Sequence, residues 1–130
     1  MHNLHHRSVE VKRPKGLGPK DEIPEIYYHG TTAANAKRIL KEGLLVNKSL
    51  NREREEEVPF TFLSENIKIA RMFAPGGDYW SGGKADGVIL VIEPPESIIS
   101  KLRFDLGEFV RCPVDIPAKY IDTEEWTSAD

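Results

Sequence analysis

Apolar and polar positions change period several times along the chain, and each change marks a predicted element. Ile23 to His29 alternates, with Tyr27 and His29 on one face and Ile26 and Tyr28 on the other, which predicts a first strand. Ala33, Ala36, Ile39 and Leu40 then recur at helical spacing, with Lys37, Arg38 and Lys41 on the outside. Thr32 is a suitable N-cap and Gly43 a suitable stop, so a helix is predicted between them. Phe60-Thr61-Phe62-Leu63 alternates again as a strand. Ser64 is read as the cap of a second helix, with Ile67, Ala70 and Phe73 or Ala74 inward and Pro75 ending it. Val88 to Ile92 is apolar throughout, the pattern of a strand covered on both faces. Pro94-Pro95 breaks that run, and residues 96–103 suit a short helical turn. Glu108 to Cys112 predicts another strand, and Val114-Asp115-Ile116 with Tyr120-Ile121 a last, short one. Many short strands with two early helices indicate an α+β domain.

Two stretches fall outside this pattern. Residues 1–22 hold three histidines, five Lys or Arg and four Gly or Pro among few apolar positions, so they read as a flexible N-terminal tail. Residues 23–130 are left as the single domain that a chain of 130 residues suggests. Asn47 to Glu57, with its run of alternating and then acidic charge, reads as a solvated loop. Gly76 to Gly87, which is glycine-rich and contains Tyr79 and Trp80, reads as a loop long enough to cover a site.

Composition narrows the classes. A net charge of −3 with no dominant basic block argues against a dedicated nucleic-acid binder. The longest apolar run, Val88 to Ile92, is too short to span a membrane, and the first six residues have no apolar signal core. The one cysteine, Cys112, excludes an internal disulfide and a cysteine metal cluster, and its apolar surroundings before Pro113 suit a buried structural thiol. His2, His5 and His6 have no accompanying Cys, Asp or Glu cluster, so no metal is expected. A reducing cytoplasm is the simplest location.

The candidate chemistry starts at Tyr28-His29-Gly30-Thr31, where a strand runs into a helix. An imidazole at a strand end, with glycine and a helix start behind it, suits a polar, phosphate-bearing ligand. Among the acids, Glu108 stands out, edged by Gly107 and by Phe109-Val110. There is no G-x-S-x-G elbow for a serine triad. An ordinary O-glycoside calls for two carboxylates, because its leaving oxygen must be protonated. Nicotinamide leaves NAD as a neutral molecule, so one carboxylate near the developing sugar cation suffices, with a histidine, a glycine backbone and aromatic rings to grip the dinucleotide.

With these residues in place, the chain resembles the ADP-ribosyltransferase superfamily, in the branch of poly(ADP-ribose) polymerases with a histidine-tyrosine-glutamate pattern. Tyr28-His29-Gly30-Thr31 with Asn35, Ile39-Leu40 and Gly43-Leu44 is similar to the first motif of that branch. Phe60 to Ser64 with Ala70 and Phe73 resembles the second, and Gly107-Glu108-Phe109-Val110 with Lys119-Tyr120-Ile121 the third. The resemblance spans about Ile26 to Ile121. It implies a split β-sandwich with two early helices and a central NAD cleft. It also implies a mono-ADP-ribosyltransferase that uses NAD as co-substrate, with the acceptor (protein, nucleic acid or small molecule) left open. Glu108 and His29 would be catalytic, with Glu108 on the nicotinamide ribose and His29 on a ribose hydroxyl. Gly30 would hold the nicotinamide amide, Phe62 and Phe73 would flank its ring, and Thr31 and Ser64 complete the donor-binding set. The Asn47–Glu57 loop would overlie the donor. Phe62 and Phe73 stand where relatives carry tyrosine, and Ile69 stands where they carry the amide-binding serine. Leu106 stands where arginine-modifying relatives have a second acid. Two other readings share the fold. One is an RNA 2′-phosphotransferase-like enzyme, for which Arg52, Arg54, Arg71, Arg103 and Arg111 are the cations near the motifs. The other is a non-catalytic module binding NAD, ADP-ribose or a protein.

Overall fold

The computed structural model describes residues 13–46 and 60–129. Residues 1–12 of the expected tail, and all of the charged loop Asn47–Glu57 with Arg52 and Arg54, lie outside them. The domain is α+β, with two antiparallel three-stranded sheets and few helices.

The first sheet has the order β1-β3-β6, from Tyr27–Thr32, Asp86–Ile92 and Ile121–Ser128. Its central strand β3 is the continuous apolar run, and Val88, Ile89, Leu90 and Ile92 are all at most 1% exposed. A strand covered on both faces needs no polar alternation. The second sheet has the order β2-β5-β4, from Thr61–Leu63, Phe109–Cys112 and Arg103–Leu106. One isolated bridge between Tyr28 and Ser64 joins β1 to the residue after β2.

Helix α1 (Ala33–Glu42) begins directly where β1 ends, so Thr32 serves twice. It closes the ladder opposite Gly87, and its side chain accepts from the Asn35 amide at 3.1 Å. Gly43 ends the helix at φ 95, in the left-handed region that favours glycine, and its N–H donates to Ile39 O at 2.7 Å. Ala36 and Ile39 of α1 pack with Tyr27, Leu90 and Ile92 of the first sheet and with Leu63, Val110 and Cys112 of the second in one core. The opposite face of the first sheet, at Ile89 and Tyr28, receives Ala70 and Ala74 from α2 (Ile67–Phe73) and the residue after it. A short helix α3 (Glu96–Ile99) follows Pro95.

Four expectations shift. The first strand covers 27–32 rather than 23–29, because β3 offers partners as far as Gly87. The second helix is capped by Asn66, whose side chain accepts from Lys68 N at 3.0 Å, and not by Ser64. Of the two residues offered as inward at its end, Ala74 is the buried one and Phe73 is 37% exposed. The final strand is β6, eight residues long, and Ile116 makes only an isolated bridge with Leu44. Arg13 to Asp21 also carry defined contacts. The Arg13 guanidinium donates to the carbonyls of Gly18 and Asp21, and Lys15 O accepts from Phe104 N at 2.7 Å beside β4. No helix among the described residues is long and apolar enough to cross a membrane.

Candidate functional site

The site residues gather where β1, the end of β2 and the hairpin tip of β4–β5 meet. Tyr28 N donates to Ser64 O at 2.7 Å and Ser64 N to Tyr28 O at 3.0 Å, so β1 is fastened to the end of β2. His29, the next residue, lies opposite Leu90 in β1–β3. Its Nδ1 is 2.8 Å from Phe62 O. A carbonyl can only accept, so Nδ1 carries the proton and donates. Nε2 is then left bare, an acceptor for a hydroxyl. Desolvation pulls the imidazole pKa below its ordinary 6.5, and the hydrogen bond to Phe62 partly opposes this. Desolvation is the larger effect, so the ring is neutral at neutral pH, and the hydrogen bond to Phe62 sets its tautomer.

Glu108 occupies the hairpin tip rather than the strand start that the sequence suggested. Leu106 pairs with Phe109, which leaves Gly107-Glu108 as a two-residue loop. Gly107 has φ 65, and no residue other than glycine has positive φ among the described residues, which is the pattern of a type II′ turn. The glycine is therefore there for the turn, and the turn displays an exposed carboxylate.

Ser64 ties this tip to the histidine strand. It is 2% exposed, its Oγ donates to Glu108 O at 3.1 Å, and the same Oγ accepts from Asn66 N at 3.0 Å. With both roles used inside the protein, the hydroxyl is committed to fixing the site. A direct hold on a donor, as the sequence suggested, could then use only the remaining lone pair of Oγ, as an acceptor.

Gly30 has a steric reason as well. A Cβ there would stand 2.0 Å from Ala70 O and 3.2 Å from Ala74 N. Helix α2 thus lies against the bare backbone of β1, and any side chain would push it away. Thr31 is 8% exposed and turned to the same core face as Tyr27. Ile69, at the position where relatives carry serine, is buried.

The aromatic arrangement differs from the expected pair. Phe62 and Phe73 do not stand alone across a gap: the Phe109 ring touches both, at 5.7 Å and 5.5 Å between centroids. Phe60 continues the row behind Phe62 at 5.1 Å, and Tyr79 continues it beyond Phe73 at 5.3 Å. Alternation within β5 does not by itself place Phe109 here: it takes the pairing of Phe62 with Arg111, from which a period of two puts Phe109 on that same face. Tyr79 belongs to the loop that the sequence marked as long enough to cover a site, whereas Asn66 was not legible as a site neighbour, since its cap contact leaves no periodicity.

Of the arginines, Arg71 is paired with Glu125 and Arg111 lies 5.4 Å from the centre of the Phe60 ring. Cys112 is fully buried, its Sγ–H donates to Val114 O, and burial pushes its pKa up to about 11. Among the described residues no group of His, Cys, Asp or Glu could hold a metal ion. Compared with models of known protein families and with curated proteins, the sequence matches none of them.

Proposed function

We propose that the chain is an NAD-dependent mono-ADP-ribosyltransferase with an ADP-ribosyltransferase-like split β-sandwich and a donor cleft at the β1–β2–β5 junction. The observation that carries this reading is that one hydrogen-bonded junction holds both the His29 imidazole and the backbone of the turn that carries the exposed Glu108 carboxylate. His29 is held through Phe62, and Glu108 is held through Ser64, which is itself bonded to the strand of His29.

In the proposed reaction the bond from the ribose anomeric carbon to the nicotinamide nitrogen breaks. Its electron pair leaves with nicotinamide, which departs neutral. Glu108 places negative charge near the positive sugar that develops, and this matters most in the transition state. His29 Nε2 accepts from a ribose hydroxyl and orients the donor. The acceptor's nucleophilic atom bonds to the anomeric carbon and gives its proton to solvent. The row Phe62–Phe109–Phe73 supplies apolar ring surface for the nicotinamide, with Phe109 shifting or serving as one wall.

Calorimetric titration with NAD tests the donor half of the proposal. The wild type should bind, and His29→Ala should weaken binding by about tenfold, equivalent to one lost hydrogen bond to a polar ligand group. Equal affinity in the two proteins would remove His29 from the donor site.

A further inference from the structure

The loop after α2 presents a ring in a way that its own folding does not require. Tyr79 is 60% exposed, although its backbone is secured: Tyr79 N donates to Met72 O at 2.8 Å and Gly77 N to Ala74 O at 2.9 Å. Gly76, at φ 91, fits so closely beneath β6 that a Cβ would lie 2.0 Å from Ser128 O. The neighbouring Trp80 turns back into the loop, where its indole N–H donates to Gly83 O and its ring covers Gly82. Tyr79 alone is held outward, with its ring at 34° to that of Phe73, itself 37% exposed. Phe73 in turn meets Phe109, the residue after Glu108.

We propose that Phe73 and Tyr79 form a stacking platform for a small, uncharged planar aromatic molecule. If the donor reading above holds, this molecule is the acceptor, because the platform adjoins the Glu108 tip. Size and charge select the class. Two rings match the area of one flat molecule, whereas a protein partner needs about 800 Å² per side. Asp78 precedes Tyr79, Asp86 closes the loop region, and the nearby Arg71 is neutralised by Glu125. Residues 76–87 hold two acids against the single cation Lys84, so a polyanion such as nucleic acid would meet a net negative loop, while an uncharged ring meets no charge penalty.

The probe is 2-naphthol, titrated into the wild type, Tyr79→Ala and Tyr79→Phe and followed by NMR of the aromatic side chains. Binding by the wild type, about tenfold weaker in Tyr79→Ala and within about twofold in Tyr79→Phe, is expected of a stacking contact. Tyr79 is largely exposed, so all three should share one melting temperature. No binding by the wild type, or equal binding by Tyr79→Ala, overturns the platform. Tighter binding of single-stranded oligoadenylate than of 2-naphthol at physiological salt overturns the uncharged-ligand assignment. Nicotinamide release is measured in parallel, and it does not depend on the naphthol result. Naphthol binding without any release retains the platform and removes the donor reading, whereas release without naphthol binding does the reverse.

Discussion

Replacing Ser64 with alanine separates the scaffold of the site from its chemistry. The hydroxyl is 2% exposed and makes two hydrogen bonds, to Glu108 O at 3.1 Å and from Asn66 N at 3.0 Å. The carbonyl lies in an exposed turn and can turn to water, so its loss costs little. The Asn66 amide starts α2 and is less accessible, so it bears most of the penalty for an unpaired donor. Together the two losses come to about 2 kcal/mol. For a domain of this size that lowers the melting temperature by about 10 °C. Freed from its anchor, the Glu108 tip should reduce kcat for nicotinamide release by about tenfold, with KM for NAD little changed. Calorimetry and initial-rate kinetics read the two effects. Cys112→Ala serves as a destabilised control whose side chain makes no hydrogen bond to the tip, and it should keep kcat at a temperature where it is folded. A melting temperature within one degree of wild type would refute the hydrogen-bond account. A loss of kcat in Cys112→Ala as large as in Ser64→Ala would refute the positioning account.

Four further outcomes follow from the geometry. Gly30→Ala forces a methyl group against Ala70 O and should destabilise the fold by about 3 kcal/mol or more, measured by urea unfolding. His29 has a folded pKa below its unfolded value near 6.5, so the unfolded chain takes up its proton first. Its contribution to stability is therefore complete above about pH 6.5 and is lost as pH falls through the lowered folded value, which His29→Gln should remove from the pH–stability curve. NAD affinity should fall over the same acidic window, because a protonated Nε2 cannot accept. The Cys112 thiol, pushed up to about 11 and fully buried, should resist iodoacetamide at neutral pH in the native protein and react once urea unfolds it.

The sequence was most readable where local chemistry and fold agree. Thr32 and Gly43 bound α1 because a cap and a left-handed stop are local requirements. Val88 to Ile92 is the central strand because burial on both faces leaves an unbroken apolar run. The last strand escaped notice because β6 is an edge. Its outward residues Asp122, Glu124, Trp126 and Ser128 are all exposed, and the register skips Glu124 between the partners of Ile89 and Leu90. An edge strand with a bulge needs little apolar content. Within the candidate site, His29 and Glu108 were readable by residue type. The roles of Ser64 and Phe109 were not, since both depend on pairings between strands distant in the sequence.

The most direct test of the central claim is nicotinamide release from NAD by the purified chain beside Glu108→Gln, a substitution at an exposed turn position that keeps shape and removes the charge. The account predicts measurable release by the wild type and a loss of about a hundredfold or more in the variant, as befits a group whose charge acts in the transition state. Release at equal rates by both proteins, or neither release nor NAD binding by the wild type, would contradict it.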